Sequence, residues 1–513
     1  MISFSQVDYF IIVAFLISII SIGFIASKGN KKSSDDYLLS GRKVGLFLFI
    51  LTNVATWYGG ILGVGEFSFR YGIVSWFTQG LPYYIFAIIF AFLFAGKIRS
   101  ASLFTIPDKL EEVYGSKISL LSAILIFILV SPAPYLLILG QIISIIFNID
   151  YFSALLISAF ISSVYLIKGG YKSNIWVDAL SFFVMFLGFI LIVIVAVNNY
   201  GGVEYLSNNL PKEHLTISGG TSVTFIVVWF LIALWTFTDP GFHQRCYSAK
   251  SGSVAKWGIV ISVGLWFIFD FLTNTTGLYS KAILPDLENP VLAFPYLANE
   301  ILNPGLKGLF FVALIATVLS TLNSFIFLSA TTFSRDFIYR LTNNEGFSLP
   351  LLNTILLSFP IHPSVDNNDG EKSYKLKNRI QLKANRNDNV NSNDEPTPFP
   401  LVYYTKLGII ITLIISLVIA YFFQSVVELW YTIGSICIPG IILLVISSYY
   451  HQFKIDNKIA FYEIIVGVFS SLVWLLVRNN FSHNPFLSQL EPMIIGLVLA
   501  FALHLFGLLK KIQ

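Results

Sequence analysis

The sequence predicts an all-α polytopic membrane protein. Three observations predict it. Of 513 residues, 56% are hydrophobic and only 12% charged. Mean hydropathy is +0.76, more apolar surface than a water-soluble fold could hide in one core. Apolar runs of about 20 residues, enough to cross the hydrocarbon of a bilayer, recur from one end of the chain to the other. Lipid is therefore the solvent of nearly the whole protein. The two cysteines, Cys246 and Cys437, match no zinc, haem or disulfide spacing. The net charge of +4 sits in short loops rather than on one basic face, which argues against a nucleic-acid partner.

Taken in order, thirteen hydrophobic helices are expected at about 6–27, 44–69, 75–96, 118–147, 151–168, 174–198, 221–241, 255–280, 305–338, 402–424, 427–449, 459–477 and 488–509. The first, Val7 to Ala26, is too long for a secretory signal and lacks a small-residue cleavage pattern before Lys28. An odd number of spans puts the termini on opposite sides. With the N-terminus outside, only Arg70, Lys212, Lys281, Lys307 and Arg478 of the 32 basic residues face outward, so the expected topology is N-terminus out and C-terminus in the cytoplasm. Residues 342–400 lose the apolar pattern and turn rich in Asn, Asp and Lys, as expected of a disordered cytoplasmic insertion. Within them, Phe347 to Phe359 is apolar enough to lie against the membrane or the protein.

Two spans carry sequence that a continuous helix would not choose. The second contains Thr56-Trp57-Tyr58-Gly59-Gly60 at mid-membrane, and each glycine costs a helix interior about 1 kcal/mol relative to alanine. The seventh contains Thr236-Phe237-Thr238-Asp239-Pro240-Gly241, a helix breaker beside a carboxylate. Unwound backbone inside hydrocarbon is tolerated only where it lines a cavity or binds something. The breaks lie five spans apart, the separation of two inverted five-helix copies covering spans two to six and seven to eleven. A single glycine reads more simply as a close-packing residue; two clusters at matching positions favour a site.

The ninth span holds Thr317-Val318-Leu319-Ser320-Thr321-Leu322-Asn323-Ser324. Neutral hydroxyl and carbonyl oxygens suit a partly dehydrated monovalent cation, where calcium or magnesium would recruit carboxylates. Sodium is the expected ion, with backbone carbonyls around Asn53 and Thr56 joining Ser320 and Thr321. The alternative, hydroxyls bonding back to their own helix carbonyls, is equally open at this level.

The sequence resembles the sodium:solute symporter family, whose members include sodium-coupled galactose, proline, pantothenate and iodide transporters. The resemblance covers almost the whole chain. It is carried by Asp36-Tyr37-Leu38-Leu39-Ser40-Gly41-Arg42, Ala55-Thr56-Trp57-Tyr58-Gly59-Gly60, Tyr71-Gly72, Thr105-Ile106-Pro107 and Tyr114-Gly115. Gly169-Gly170, Trp176-Val177-Asp178, Asp239-Pro240, Gln244-Arg245, Ala249-Lys250-Ser251, Leu319 to Ser324 and Ser334-Arg335-Asp336 continue it.

The resemblance implies a LeuT-type 5+5 inverted-repeat core with one extra helix before it and two after it. The expected organisation is 1–43 for the first helix and its loop, 44–198 and 221–449 for the two repeats, and 450–513 for the last two helices. It also implies a sodium site of Ser320 and Thr321 hydroxyls with backbone oxygens of Asn53, Thr56 and Thr317. Thr317 stands where relatives often have alanine, and Asn323 where many carry aspartate. Asp239 matches a substrate-contacting polar residue of the sugar transporters, and Trp57, Gly59, Gly60, Gln79, Gln141 and Trp430 are further substrate-binding candidates. Gly59 and Gly60 replace larger polar side chains of some relatives.

The remaining charges have open readings: Glu66 and Arg70, four apart at an outer helix end, read as an ordinary pair or an outer-gate element, the pair being favoured. Asp178 lies near the inner start of the sixth span, where a cap or interfacial anchor and a transport role are equally open.

The expectation is therefore a sodium-coupled symporter, importing a small polar organic solute across the plasma (inner) membrane by alternating access. Sodium is the coupling ion and no cofactor is expected. The alternative is a proton-coupled carrier of the same fold using Asp239. An enzyme is not expected: His214, His243, His362 and His451 are scattered, and no glycine cluster precedes Lys-Ser or Lys-Thr as in a phosphate-binding loop. The solute, the stoichiometry and the oligomeric state are not legible.

Overall fold

The computed structural model describes residues 2–28, 33–340, 399–423, 426–481, 483, 487 and 490–512. Most of the expected insertion at 342–400, with its apolar part Phe347 to Phe359, lies outside the described residues. Among those described, eleven helices are long and apolar enough to cross a membrane. Two shorter apolar helices, Leu46–Ala55 and Tyr151–Ser163, complete thirteen spans that match the sequence pattern one for one.

The spans are 1, Gln6–Ser27; 2, Leu46–Ala55 followed by Ile61–Tyr71; 3, Trp76–Ala101; 4, Ser116–Phe147; 5, Tyr151–Ser163; 6, Leu166–Tyr200; and 7, Val223–Ser248. They continue as 8, Gly252–Ile283; 9, Leu306–Ile338; 10, Leu401–Phe422; 11, Leu429–Ser448; 12, Asn457–Phe481; and 13, Pro492–Lys511.

Helix starts follow capping chemistry. Ser5 and Asp8 form a reciprocal capping box at span 1. The same Asp8 carboxylate accepts the Gly305 and Gly308 N–H groups at 2.8 and 2.7 Å, pinning span 1 to the start of span 9. Span 9 is buried almost throughout and forms the centre of the bundle, packed against spans 1 and 6. Exposed apolar side chains such as Phe469, Leu476, Phe501 and Phe506 put spans 12 and 13 at the lipid-facing periphery.

Several boundaries differ from the pattern. Span 6 starts at Leu166 rather than 174 because Gly170, at φ +56, lets the chain kink and run on. Span 7 continues past 241 to Ser248, since a new helix starts after its break. An amphipathic helix, Ile106–Tyr114, lies between spans 3 and 4, and span 4 is itself interrupted between Leu129 and Ala133.

Candidate sodium and solute site

Both expected breaks are present. Span 2 stops at Ala55 and restarts at Ile61, leaving Thr56 to Gly60 outside regular helix. Span 7 narrows to a tight turn over Ala233–Phe237 and restarts at Pro240 with Asp239 as its cap.

Span 9 meets the first break directly. The Ser320 hydroxyl reaches the Ala55 carbonyl at 2.7 Å and its own Thr317 carbonyl at 3.1 Å. The carbonyl it meets is that of Ala55, between the positions Asn53 and Thr56 named from sequence. Thr317 donates to Ala313 at 2.6 Å, so its extra hydroxyl is a back-bond within the helix. Thr321 leans 3.4 Å from the Thr317 carbonyl. Of the hydroxyl run, Ser320 is thus the one that crosses to span 2.

Close approach depends on Gly59: a Cβ there would stand 2.5 Å from Thr321 Cβ. Asn53 is buried, and its Nδ2 has no partner among the described residues. Thr56 bonds back to the Thr52 carbonyl at 2.7 Å and accepts from an Arg245 guanidinium N–H. Arg245 therefore points at the span 2 break and closes no ion pair with Asp239.

For Asp178, one of the two open readings falls. It is fully buried inside span 6, neither a cap nor an interfacial anchor. Thr52 donates to its Oδ2 at 2.5 Å, while Asn174 donates to Ser324 at 2.7 Å and stands 3.4 Å from the same oxygen. Asp178 Oδ1 has no partner among the described residues. A carboxylate thus sits against Thr52, one helical turn before Thr56, at the seam of spans 2, 6 and 9. The signal in the sequence was an aspartate inside an apolar run, but its partner spans were not readable. Asn323 donates to the Tyr165 hydroxyl.

The solute candidates divide. Trp57, in the break, stacks on Trp266 at 4.8 Å and meets Tyr83 and Phe242 edge-on at 5.0 and 5.7 Å. Trp430 lies against Gly60, where a Cβ would come within 1.7 Å of its ring, and against Tyr135 at 5.6 Å. Asp239 accepts the Phe242 N–H and the Trp235 indole N–H, each at 2.9 Å, with Tyr83 and Tyr135 in electrostatic reach. Gln79 sits in the widened turn Trp76–Gly80, one turn from Tyr83. Gln141 lies on span 4 with its Oε1 buried and unpartnered among the described residues. Tyr83 and Tyr135 escaped the sequence reading because tyrosines are frequent throughout the spans.

At the far end of span 9, Asp108 of the amphipathic helix binds Arg335 at 2.6 Å and Arg340 at 2.5 Å. Asp336 pairs with Arg335 at 2.8 Å, and Glu111 with Arg340 at 2.9 Å. Burial alone would raise the Asp108 carboxyl, but the two guanidiniums hold it below the usual carboxylate range. The cluster ties Ile106–Tyr114 to span 9.

The model of the Sodium:solute symporter family matches residues 37–348, well over half of the chain and both breaks. The chain belongs to the sodium:solute symporter family. Members similar to it include a sodium/glucose cotransporter of Vibrio parahaemolyticus, 26% identical over 66% of this chain and 69% of that protein. A sodium/proline symporter of Staphylococcus aureus is 25% identical over the same shares. A sodium-coupled monocarboxylate transporter 2 of Danio rerio is 26% identical, over 65% of this chain and 58% of its own length. In structure, this symporter is similar to a Na+-coupled sialic acid symporter in a substrate-bound outward-open state. That match has a TM-score of 0.77 and 15% identity, over 99% of this chain and 98% of the other. Mhp1, a nucleobase-cation-symport-1 family transporter in a closed conformation, gives 0.55 and 14% over 93% and 95%. The fold is therefore LeuT-type, and the family is one of sodium-coupled membrane transporters, not enzymes.

Proposed function

We propose that this symporter imports a small polar organic solute by alternating access, with sodium held between the span 2 break and Ser320 of span 9. The observation that carries the reading is the 2.7 Å approach of the Ser320 hydroxyl to the Ala55 carbonyl. It joins a freed backbone oxygen to a side-chain oxygen inside the bilayer, and such neutral oxygens suit an alkali ion. Asn53, Thr56, Thr317 and Thr321 would supply the remaining oxygens. Spans 2–6 and 7–11 act as the two repeats, with the N-terminus outside and the C-terminus in the cytoplasm.

Coupling needs only that sodium and solute prefer the same arrangement of the break, since a ligand shifts an equilibrium by its differential affinity. Trp57, Gly59 and Gly60 belong to the same unwound segment, so an ion that fixes its carbonyls also fixes the floor of the solute site. Asp239, Trp430, Gln79 and Gln141 would border the solute. The membrane potential adds about 2.3 kcal/mol per charge per 100 mV, enough to drive accumulation.

The test is uptake into proteoliposomes of solutes first selected by sodium-dependent thermal stabilisation. Uptake should require an inward sodium gradient, and Ser320→Ala should raise the sodium needed at least tenfold while the protein stays folded. Uptake that ignores sodium would reject the proposal.

A further inference from the structure

Span 3 carries a second widened turn, Ala91–Ala95, before its last stretch Gly96–Ala101. An extra residue in a helical turn re-aims the side chains that follow, and such turns recur at functional sites. Here a groove of about 620 Å³ runs beside it, lined by Phe92, Leu93 and Lys97 of span 3 and by Lys109, Tyr449 and His451 from the amphipathic helix and the turn after span 11. It lies at the end of the bundle that the proposed topology turns to the cytoplasm.

One half of the groove is apolar. Phe92 and Leu93 are exposed, and Ile85, Ile88 and Ile89 continue the exposed apolar face along span 3 toward the middle of the bilayer. Phe92 meets the exposed Trp257 of span 8 edge-on at 6.4 Å. An exposed tryptophan at the end of a span marks the level of the lipid headgroups. The groove therefore opens onto hydrocarbon at one end and reaches headgroup level at the other.

The other half is cationic. The Lys97 ammonium donates to the Tyr449 carbonyl at 3.3 Å and stands 3.5 Å over the Tyr450 ring. An ammonium has three N–H donors, so donor capacity remains for the groove. On the rim, the Lys256 ammonium stands 4.2 Å from the Phe92 ring and 5.3 Å from the Trp257 ring. The spans of these two lysines touch backbone to backbone, since a Cβ on Gly252 would come within 3.3 Å of Gly96 Cα. Among the described residues neither ammonium closes an ion pair, whereas Lys109 is paired with Glu112 at 3.0 Å. The nearby hydroxyls of Ser100 and Ser448 donate back to their own helices at 2.9 and 2.7 Å, which leaves the lysines as the donors for an anion.

We propose that this groove is a binding site for an anionic phospholipid, its phosphate on Lys97 and Lys256 and its acyl chains along Phe92, Leu93 and the isoleucine face of span 3. Charge complementarity and the join of the two halves select this occupant. A soluble anion would use the lysines and leave the apolar half idle. A zwitterionic lipid would bring a cation of its own against them. Basic pockets between spans on the cytoplasmic side suit anionic headgroups. The bound lipid would staple the end of span 3 to the start of span 8 and to the Tyr449-Tyr450 turn. The inference goes beyond the transport reading and holds whichever ion or solute is carried.

Native mass spectrometry and thermal unfolding of the full chain in detergent, titrated with phosphatidylglycerol or with phosphatidylcholine of the same acyl chains, test this. Phosphatidylglycerol should bind saturably and raise the unfolding temperature, and phosphatidylcholine should bind at least tenfold more weakly. Lys97→Gln and Lys256→Gln should each weaken phosphatidylglycerol about fivefold, the effect of one basic side chain at an anionic lipid. Lys168→Gln, beside Phe24 at the end of span 1, should leave it unchanged. Equal binding of the two lipids, or equal weakening by Lys168→Gln, would mean diffuse attraction and overturn the site. sn-Glycerol 3-phosphate alone should not stabilise the protein; stabilisation matching that by the lipid would make the ligand a soluble phosphate and overturn the proposal. Should Lys97→Gln fail to fold, having lost its bond to Tyr449, the affinity of Lys256→Gln decides alone.

Discussion

Ser320 has one proton to give and two carbonyls within reach, so its lone pairs remain free for an ion lodged at the break. Thr317, beside it, is committed to its own helix. Gly60 decides geometry in a similar way. Any side chain there would enter the space of the Trp430 ring. Gly60→Ala should therefore destabilise the packing of the break by about 1–3 kcal/mol through overpacking. Trp430→Phe, which removes part of the ring in conflict, should recover at least half of the loss. Thermal unfolding of both single variants and the double variant checks this. Additive losses would place the Trp430 ring elsewhere.

At the scale of elements, the breaks in spans 2 and 7 were legible because their cause is local. Glycine and proline act on the backbone wherever they stand. Asp178 was not legible as a residue of the seam, because its meaning comes from neighbours on other spans. Thr52 approaches from span 2, and Asn174 beside it is held by Ser324 of span 9. Ser320 stood between: the hydroxyl run was visible, but only packing separates the residue that crosses to span 2 from those that bond back.

The latch of Ile106–Tyr114 against span 9 is an element-scale device. Its Asp108 has a depressed carboxyl, so its contribution is complete above the ordinary carboxylate range and is lost as pH falls through the lower folded value. Asp108→Asn should cost about 3 kcal/mol at neutral pH by leaving Arg335 and Arg340 undercompensated. The deficit should shrink as pH is lowered below about 4. Thermal unfolding of wild type and variant across that range is the check, and a deficit independent of pH would contradict it.

For the whole molecule, span 9 is the buried axis on which these devices converge. Its start is pinned by Asp8, its middle faces the break at Ala55, and its end carries Arg335 and Asp336. In the proposed function, sodium fixes the break against it. Equilibrium binding of radioactive sodium to the purified protein, in wild type and Ser320→Ala, tests that claim most directly. Saturable binding in the wild type, weakened tenfold or more in a variant that still unfolds cooperatively, is the result the account predicts. Equal sodium affinity in the two proteins would contradict it.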